Sequence, residues 1–164
     1  MNLIDPQTYY KNLPKKTVAT AVLLFNAKKE FLILKTSYRK YWTLPGGVVE
    51  KDESIVTALI REVEEETNLK IKNIKLAALD YCAPKLVRGV KNSESVQVLF
   101  TADFKNQKLK IDGREIIDYK FCDLSEALTL LGVPLRRLLK SYVKLSAPAY
   151  LENGKTLSLL GNND

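Results

Sequence analysis

Hydrophobic residues along this chain form short runs that predict strands. Apolar runs at 17–25 and 30–36 indicate two buried strands joined by a turn, and we expect them to pair as a hairpin. Residues 95–104 alternate between apolar and polar side chains, which is the pattern of a half-buried strand. Further strands are expected within 70–82 and at 116–121.

One amphipathic helix stands out in the same pattern. Its apolar residues recur at the i, i+3, i+4, i+7 spacing of a buried helical stripe: Val56, Leu59, Ile60 and Val63. Two more helices are expected at 125–131 and 135–145, the second with Pro134 in its first turn. Strands, a helix, more strands and terminal helices together predict an α+β fold, with a mixed sheet flanked by helices on both faces.

The whole chain, residues 1–164, is expected to form one domain, because its length suits one core and no linker divides it. Residues 1–16 lack periodicity and predict an irregular N-terminal arm. Residues 84–94 are too basic and glycine-dependent for a regular element and predict a polar loop. Residues 134–164 are expected to hold a C-terminal helix and tail.

Three glutamates lie beside the apolar stripe of the first helix: Glu62, Glu65 and Glu66. At about 100° per residue they share one patch, where like charges repel. Such a face alone is more often solvated surface, but a hard divalent ion such as Mg²⁺ or Mn²⁺ would collect this charge. Gly46 and Gly47 precede the helix and permit close backbone approach, so the Gly46 carbonyl is a further candidate ligand.

Composition and charge narrow the chemistry. The chain has no histidine, which excludes Ser-His and Cys-His nucleophile systems and His-ligated zinc. The net charge is +7, yet residues 50–66 carry seven of the nineteen acids and only two of the twenty-six bases. An acidic patch in a basic body suits a metal site that receives a polyphosphate, and a generic basic surface explains the same balance. No apolar run is long enough to span a membrane, and the start lacks signal-peptide features, so we expect a cytoplasmic protein.

The spacing over residues 46–69 resembles the signature of the Nudix hydrolases. The matching residues are Gly47, Glu53, Arg61, Glu62, Glu65, Glu66 and Leu69, after an approach that reads Trp42-Thr43-Leu44-Pro45. Asn68 stands where the family usually has a glycine. Because Asn is the best non-glycine residue for a left-handed helix cap, we interpret it as a tolerated variant.

The resemblance implies an α/β/α sandwich in which the signature forms a loop, a helix and a loop. It implies metal-dependent hydrolysis of a diphosphate linked to another moiety, typically a nucleoside. The metal ligands it implies are Glu62, Glu65, Glu66 and the Gly46 carbonyl. It implies that Arg61 holds the glutamates by ion pairing and that Glu53 supports the loop or a metal.

The general base and the substrate contacts stay open at this stage. The base comes from a signature glutamate or from a later acid, with Glu115 ahead of Glu94 and Asp118 because it precedes a predicted strand. Trp42 and Arg88 are candidate substrate contacts.

The three classes of function to weigh are a nucleotide hydrolase, a nucleotide sensor and a nucleic acid-binding protein. A nucleoside triphosphate, or its oxidised form, is the default substrate, with ADP-ribose or a nucleotide sugar as the alternative; Pro84 is a weak marker for ADP-ribose. A non-catalytic nucleotide sensor is disfavoured because every signature glutamate is present, and a nucleic acid partner because no binding module is recognisable. A homodimer is expected by analogy only.

Overall fold

The computed structural model describes residues 5–87, 90–91, 94–104, 108–145 and 148–156. The elements in chain order are α1 Pro6–Asn12, β1 Thr17–Leu24, β2 Phe31–Thr36, β3 Trp42–Thr43, α2 Ile55–Thr67, β4 Lys72–Cys82, β5 Leu86–Val87, β6 Val90–Lys91, β7 Ser95–Asp103, β8 Ile116–Cys122, α3 Leu124–Leu130, α4 Val133–Leu145, β9 Ala149–Glu152 and β10 Lys155–Thr156.

The strands form a mixed five-stranded sheet and a smaller antiparallel one. The five-stranded sheet has the order β1-β7-β4-β9-β10, in which β1 and β7 run parallel, as do β4 and β9, while β4 and β7 are antiparallel. The second sheet has the order β3-β2-β8. The connection between β4 and β7 holds the short antiparallel pair β5 and β6.

Helices pack on opposite faces of these strands through two apolar clusters. Leu59 and Val63 of α2 pack with one cluster, against β1 and β7 side chains such as Val22 and Phe100. Leu138 of α4 and its neighbours from α3 pack with the other cluster. The α+β sandwich with α/β/α layers is therefore confirmed. None of the helices among the described residues has the length and hydrophobicity that a membrane span requires.

The predicted hairpin of the first two strands is wrong. β1 and β2 lie in different sheets; an isolated bridge joins Phe25, just after β1, to Phe31, and the side chains of the two strands share the apolar core. The free edge of β1 is instead occupied by the glycine segment 45–49, since the Val22 amide donates to the Pro45 carbonyl at 2.9 Å. Both strands are apolar on two faces, so their periodicity carried no information about which edge each one uses.

Regular structure also appears where the sequence predicted none. Residues 6–12 of the expected irregular arm form α1, which the Asp5 side chain caps and Pro6 begins. The predicted polar loop 84–94 contains β5 and β6, and the tail contains β9 and β10. These strands are two to four residues long, too short to show a period in the sequence.

Helix α2 ends as predicted but is rotated from the predicted orientation. Asn68 adopts φ 58°, ψ 21° and its amide donates to the Glu64 carbonyl, which is the left-handed cap inferred from the sequence. Leu59 and Val63 are buried, whereas Val56 and Ile60 are exposed, so half of the predicted stripe is wrong. The rotation turns the Glu66 side of the helix inward.

Substitutions of Asn68 test this helix cap. Replacing Asn68 with alanine is expected to lower the free energy of unfolding by about 1 kcal/mol, because a Cβ-bearing residue without a capping amide is strained at positive φ. Glycine at position 68 is expected to match or exceed the wild-type stability. Urea denaturation of the three proteins measures both effects, and alanine at wild-type stability would contradict the assignment.

Candidate active site

The glycine pair is held against β1 by backbone hydrogen bonds. The Thr20 amide donates to the Gly47 carbonyl at 2.8 Å, and the Val22 amide donates to the Pro45 carbonyl on the other side of Gly46. Gly46 itself has φ 135°, and a Cβ there would lie 2.2 Å from the Thr20 carbonyl oxygen. Only glycine fits this position, which brings the backbone next to α2.

Glu66 is the most buried acid of the predicted site. Its residue is 9% exposed, and its Oε2 accepts the Gly46 amide at 2.8 Å. Burial raises the pKa of this carboxyl to about 8, and the charges of Glu62 and Glu115 act in the same direction. The carboxyl is thus held where its negative charge is poorly compensated.

Glu62 lies one helical turn away, beside Gly47. A Cβ on Gly47 would lie 2.3 Å from a Glu62 carboxylate oxygen, so the glycine leaves the space that this carboxylate fills. Burial raises the pKa of Glu62 as well, although the Arg61 guanidinium opposes the shift. Glu62 and Glu66 therefore present two partly desolvated carboxylates to the glycine segment.

Arg61 joins the remaining signature acids. Its Nη2 donates to Glu53 Oε1 at 2.8 Å, and its Nη1 lies 3.1 Å from Glu62 Oε1 and 3.2 Å from Glu65 Oε2. Glu53 also accepts the Glu50 amide at 2.7 Å, which ties the loop to the helix. The Glu65 side chain is 60% exposed and is paired with Arg61, and its role as a metal ligand stays a prediction.

Glu115 stands at the same end of the site. The Tyr38 hydroxyl donates to Glu115 Oε1 at 2.8 Å, and the charge of Glu115 contributes to the raised pKa of both Glu62 and Glu66. Glu94 is engaged elsewhere, by Lys16 and by the Tyr81 hydroxyl. Glu115 as the general base stays a prediction, and its location is compatible with it.

The donors around the glycine segment suit a hard cation. They are carboxylate oxygens of Glu62 and Glu66 and the carbonyl oxygen of Gly46. The carbonyls on either side of it, those of Pro45 and Gly47, already accept hydrogen bonds from β1 amides. Among the described residues no group of three or more acidic, histidine or cysteine side chains is already gathered at metal-binding distance. An all-oxygen set with excess negative charge fits Mg²⁺ or Mn²⁺, and the individual ligands stay predictions.

A cavity of about 580 Å³ opens on the other side of the glycine segment, where Gly46 and Gly47 form part of its wall. Among the described residues, three basic side chains line it: Arg39, Lys85 and Arg137. The charge of Arg39 opposes the rise in the pKa of Glu66, so it acts on that carboxyl group. The cavity and the acidic pair thus meet at one short stretch of backbone.

The family follows from a comparison that spans most of the chain. A family model described as NUDIX domain matches residues 15–142. The chain belongs to the Nudix family. The resemblance inferred from the signature is confirmed.

Curated Nudix relatives differ in what they are named for. An RNA pyrophosphohydrolase of Pelagibacter ubique is 32% identical over 133 residues, which cover 73% of this chain and 83% of that protein. An NAD-capped RNA hydrolase NudC of Erwinia tasmaniensis is 30% identical and matches 91% of this chain. An 8-oxo-dGDP phosphatase NUDT18 of Danio rerio is 35% identical over 53% of this chain. The matches span 54% and 27% of the last two proteins.

Solved Nudix structures share the fold. A MutT protein from Methanosarcina mazei superposes with a TM-score of 0.65 at 24% identity, covering 82% of this chain and 99% of that one. A MutT protein from Bacillus halodurans gives a TM-score of 0.66 at 21% identity, covering 87% and 95%. At these identities the likeness concerns the fold alone.

The sequence did not single out some residues that the Nudix fold places at the site. Tyr38 and Arg39 come from the basic and aromatic run before Trp42, a signal that was visible but unspecific. Trp42 packs against the apolar cluster below α3, with Lys120 Nζ 5.3 Å from its ring centre, so its substrate role stays a prediction. Arg88 lies outside the described residues.

Proposed function

We propose that this Nudix protein hydrolyses a diphosphate bond in a nucleoside diphosphate derivative, using Mg²⁺ or Mn²⁺. A nucleoside triphosphate, cleaved to the monophosphate and pyrophosphate, is the first candidate substrate. The observation that carries the proposal is that the cavity and the acidic residues lie on the two sides of the same glycine segment. Gly46 and Gly47 face a cavity large enough for a nucleoside on one side and the buried Glu66 with the half-buried Glu62 on the other.

Each side chain then has a defined task. Arg39 lines the cavity and its charge acts on Glu66, so it would bind the phosphate groups. Glu62, Glu65, Glu66 and the Gly46 carbonyl would hold the cation, Glu65 after turning away from Arg61, and the cation would supply charge neutralisation and orientation of the phosphate oxygens. Glu115, fixed by Tyr38, would accept a proton from the attacking water. Arg61 would keep the signature acids in position.

A substrate panel tests this function. We expect the protein to release pyrophosphate, measured as phosphate after an inorganic pyrophosphatase step, from at least one nucleoside triphosphate in the presence of Mg²⁺ or Mn²⁺. ADP-ribose and a nucleotide sugar belong in the panel as the alternative that the sequence left open. Hydrolysis that does not need a divalent ion, or that proceeds at full rate in Glu66→Gln, would refute the proposed mechanism.

An RNA 5′ end is a second candidate substrate. Two of the relatives described above are named as hydrolases of RNA, an RNA pyrophosphohydrolase and an NAD-capped RNA hydrolase, and the match to the first covers most of both chains. The net charge of +7 would favour an RNA chain beyond the reacting phosphates. A 5′-triphosphorylated RNA oligonucleotide in the same panel separates the cases. If RNA is the substrate, its kcat/KM exceeds that of every mononucleotide and falls steeply with added salt.

A substitution at Gly47 is expected to displace the Glu62 carboxylate without unfolding the protein. Gly47→Ala puts a methyl group where the Glu62 carboxylate lies, and that flexible side chain is able to move aside. We expect a change in unfolding free energy within about 1 kcal/mol and a loss of activity of about 10- to 100-fold. Urea denaturation and the hydrolysis assay measure the two quantities. Unchanged activity would show that the position of Glu62 does not matter.

A further inference from the structure

The cavity floor is built by one face of the five-stranded sheet. Gln97 on β7 is paired directly with Asp80 on the antiparallel neighbour β4 and with Ala19 on the parallel neighbour β1. Directly paired residues point to the same face of a sheet, and all three line the cavity. Deeper in the sheet, the same face continues into apolar core residues such as Leu99 and Ala78. Gln97 and Asp80 are therefore polar groups where the core pattern predicts apolar ones.

Both polar side chains keep hydrogen-bonding capacity for a ligand. Asp80 is 1% exposed; its Oδ1 accepts the Gly154 amide at 3.0 Å, and from the described residues its Oδ2 accepts a weak bond from the Cys82 thiol at 3.6 Å and no other. Each oxygen thus retains a free lone pair. Within the described part of the chain, the half-buried Gln97 amide has no hydrogen-bond partner. A polar group in such a place is normally satisfied by a ligand or by water.

The remaining walls suit a flat ring. Pro134 and Leu135 at the start of α4, together with Leu44, supply apolar surface, and Ala19 is small enough to leave space above the sheet. A planar base with polar edges and apolar faces matches this combination of surfaces. The volume of about 580 Å³ accommodates a purine together with its sugar.

We propose that Asp80 and Gln97 read the Watson–Crick edge of a guanine base. Guanine presents two adjacent donors, N1–H and the 2-amino group, which match the two oxygens of one carboxyl group, and its O6 would accept from the Gln97 amide. Adenine presents an acceptor at N1 beside its amino group, so one Asp80 oxygen would face a lone pair. The assignment rests on the proposed function, since it names the nucleoside that the cavity holds.

Binding of monophosphates by the wild-type protein tests the assignment without catalysis. Calorimetric titration in EDTA is expected to give affinities in the order GMP, IMP, AMP, with GMP bound about 10- to 100-fold more tightly than AMP. IMP keeps N1–H and O6 but lacks the 2-amino group, so it falls between them. Ribose 5-phosphate serves as the baseline without a base. Equal affinities for GMP and AMP, or GMP binding no tighter than ribose 5-phosphate, would overturn the proposal.

A matched pair of variants locates the effect. Asp80→Asn keeps an oxygen for the Gly154 amide but replaces the second acceptor with a donor, and we expect the preference for GMP over AMP to fall at least about tenfold. Asp103→Asn makes the same change at an exposed aspartate of β7 and is expected to keep the wild-type preference. An unchanged preference in a folded Asp80→Asn protein would overturn the role of Asp80. If that variant does not fold, the wild-type series still decides.

These results separate the two proposals. Metal-dependent hydrolysis of nucleotides with equal GMP and AMP binding would refute only the guanine assignment. The expected order of affinities, with no hydrolysis of any substrate in the panel, would refute the proposed hydrolase function and leave the base site standing.

Discussion

Replacing Glu66 with glutamine is expected to lower kcat for metal-dependent hydrolysis about a thousandfold. The side chain keeps its size and an oxygen for the Gly46 amide, so the local structure is retained. What is lost is the negative charge that would hold a divalent ion beside the diphosphate. Charge stabilisation of this kind contributes several kcal/mol to transition-state binding, and each 1.4 kcal/mol corresponds to tenfold in rate.

Glu64→Gln is the matched control for this experiment. Glu64 is an exposed residue of the same helix, with Lys70 4.0 Å away as a weak ion-pair partner. We expect its substitution to change kcat less than about twofold, because exposed pairs of this kind contribute little. Steady-state kinetics at several Mg²⁺ concentrations measure both variants. Equal losses in the two variants, or no loss in Glu66→Gln, would remove Glu66 from the metal site.

The elements of this fold were more predictable than their pairing. A strong period identified α2 and β7, and Asn68 marked the end of α2 because few residues adopt its left-handed conformation. The partner of β1 was not predictable, because the sequence of a strand that is apolar on both faces does not indicate which segment pairs with each of its edges. The glycine segment took the edge that a hairpin partner would have used, and this pairing is what places Gly46 against Glu66.

Within the site, spacing identified the acids but not their environments. The sequence placed three glutamates on one patch, whereas the structure buries Glu66, partly buries Glu62 and leaves Glu65 exposed on Arg61. These differences arise from a rotation of α2 that its own apolar stripe did not indicate. The cavity could not be predicted from the sequence either, because Asp80 and Gln97 become neighbours through the pairing of β4 with β7.

The stability of the metal-free protein is expected to fall as the pH rises from about 5 to 8. The pKa of Glu66 is about 8 in the folded protein, against an ordinary value of 4.5. Between these values the folded state retains a proton that the unfolded chain releases, so each pH unit lowers the free energy of unfolding by up to about 1.4 kcal/mol. Across the window the loss reaches about 3–5 kcal/mol. The raised pKa of Glu62 adds a contribution of the same sign.

Urea denaturation in EDTA at several pH values measures this effect and assigns it to one residue. Groups with lowered pKa values, such as Glu53 and Asp112, change stability in the opposite direction and only below this window, as the pH falls through their folded pKa. Glu66→Gln carries no titrating group at this position, so its unfolding midpoint is expected to fall much less than that of the wild type as the pH rises, with Glu62 supplying the remainder, and to exceed that of the wild type near pH 8. Parallel profiles for the two proteins would contradict the burial of an uncompensated carboxyl group. Mg²⁺ added to the wild type is expected to restore most of the lost stability at the alkaline end, because a cation binds the ionised carboxylate of the folded state.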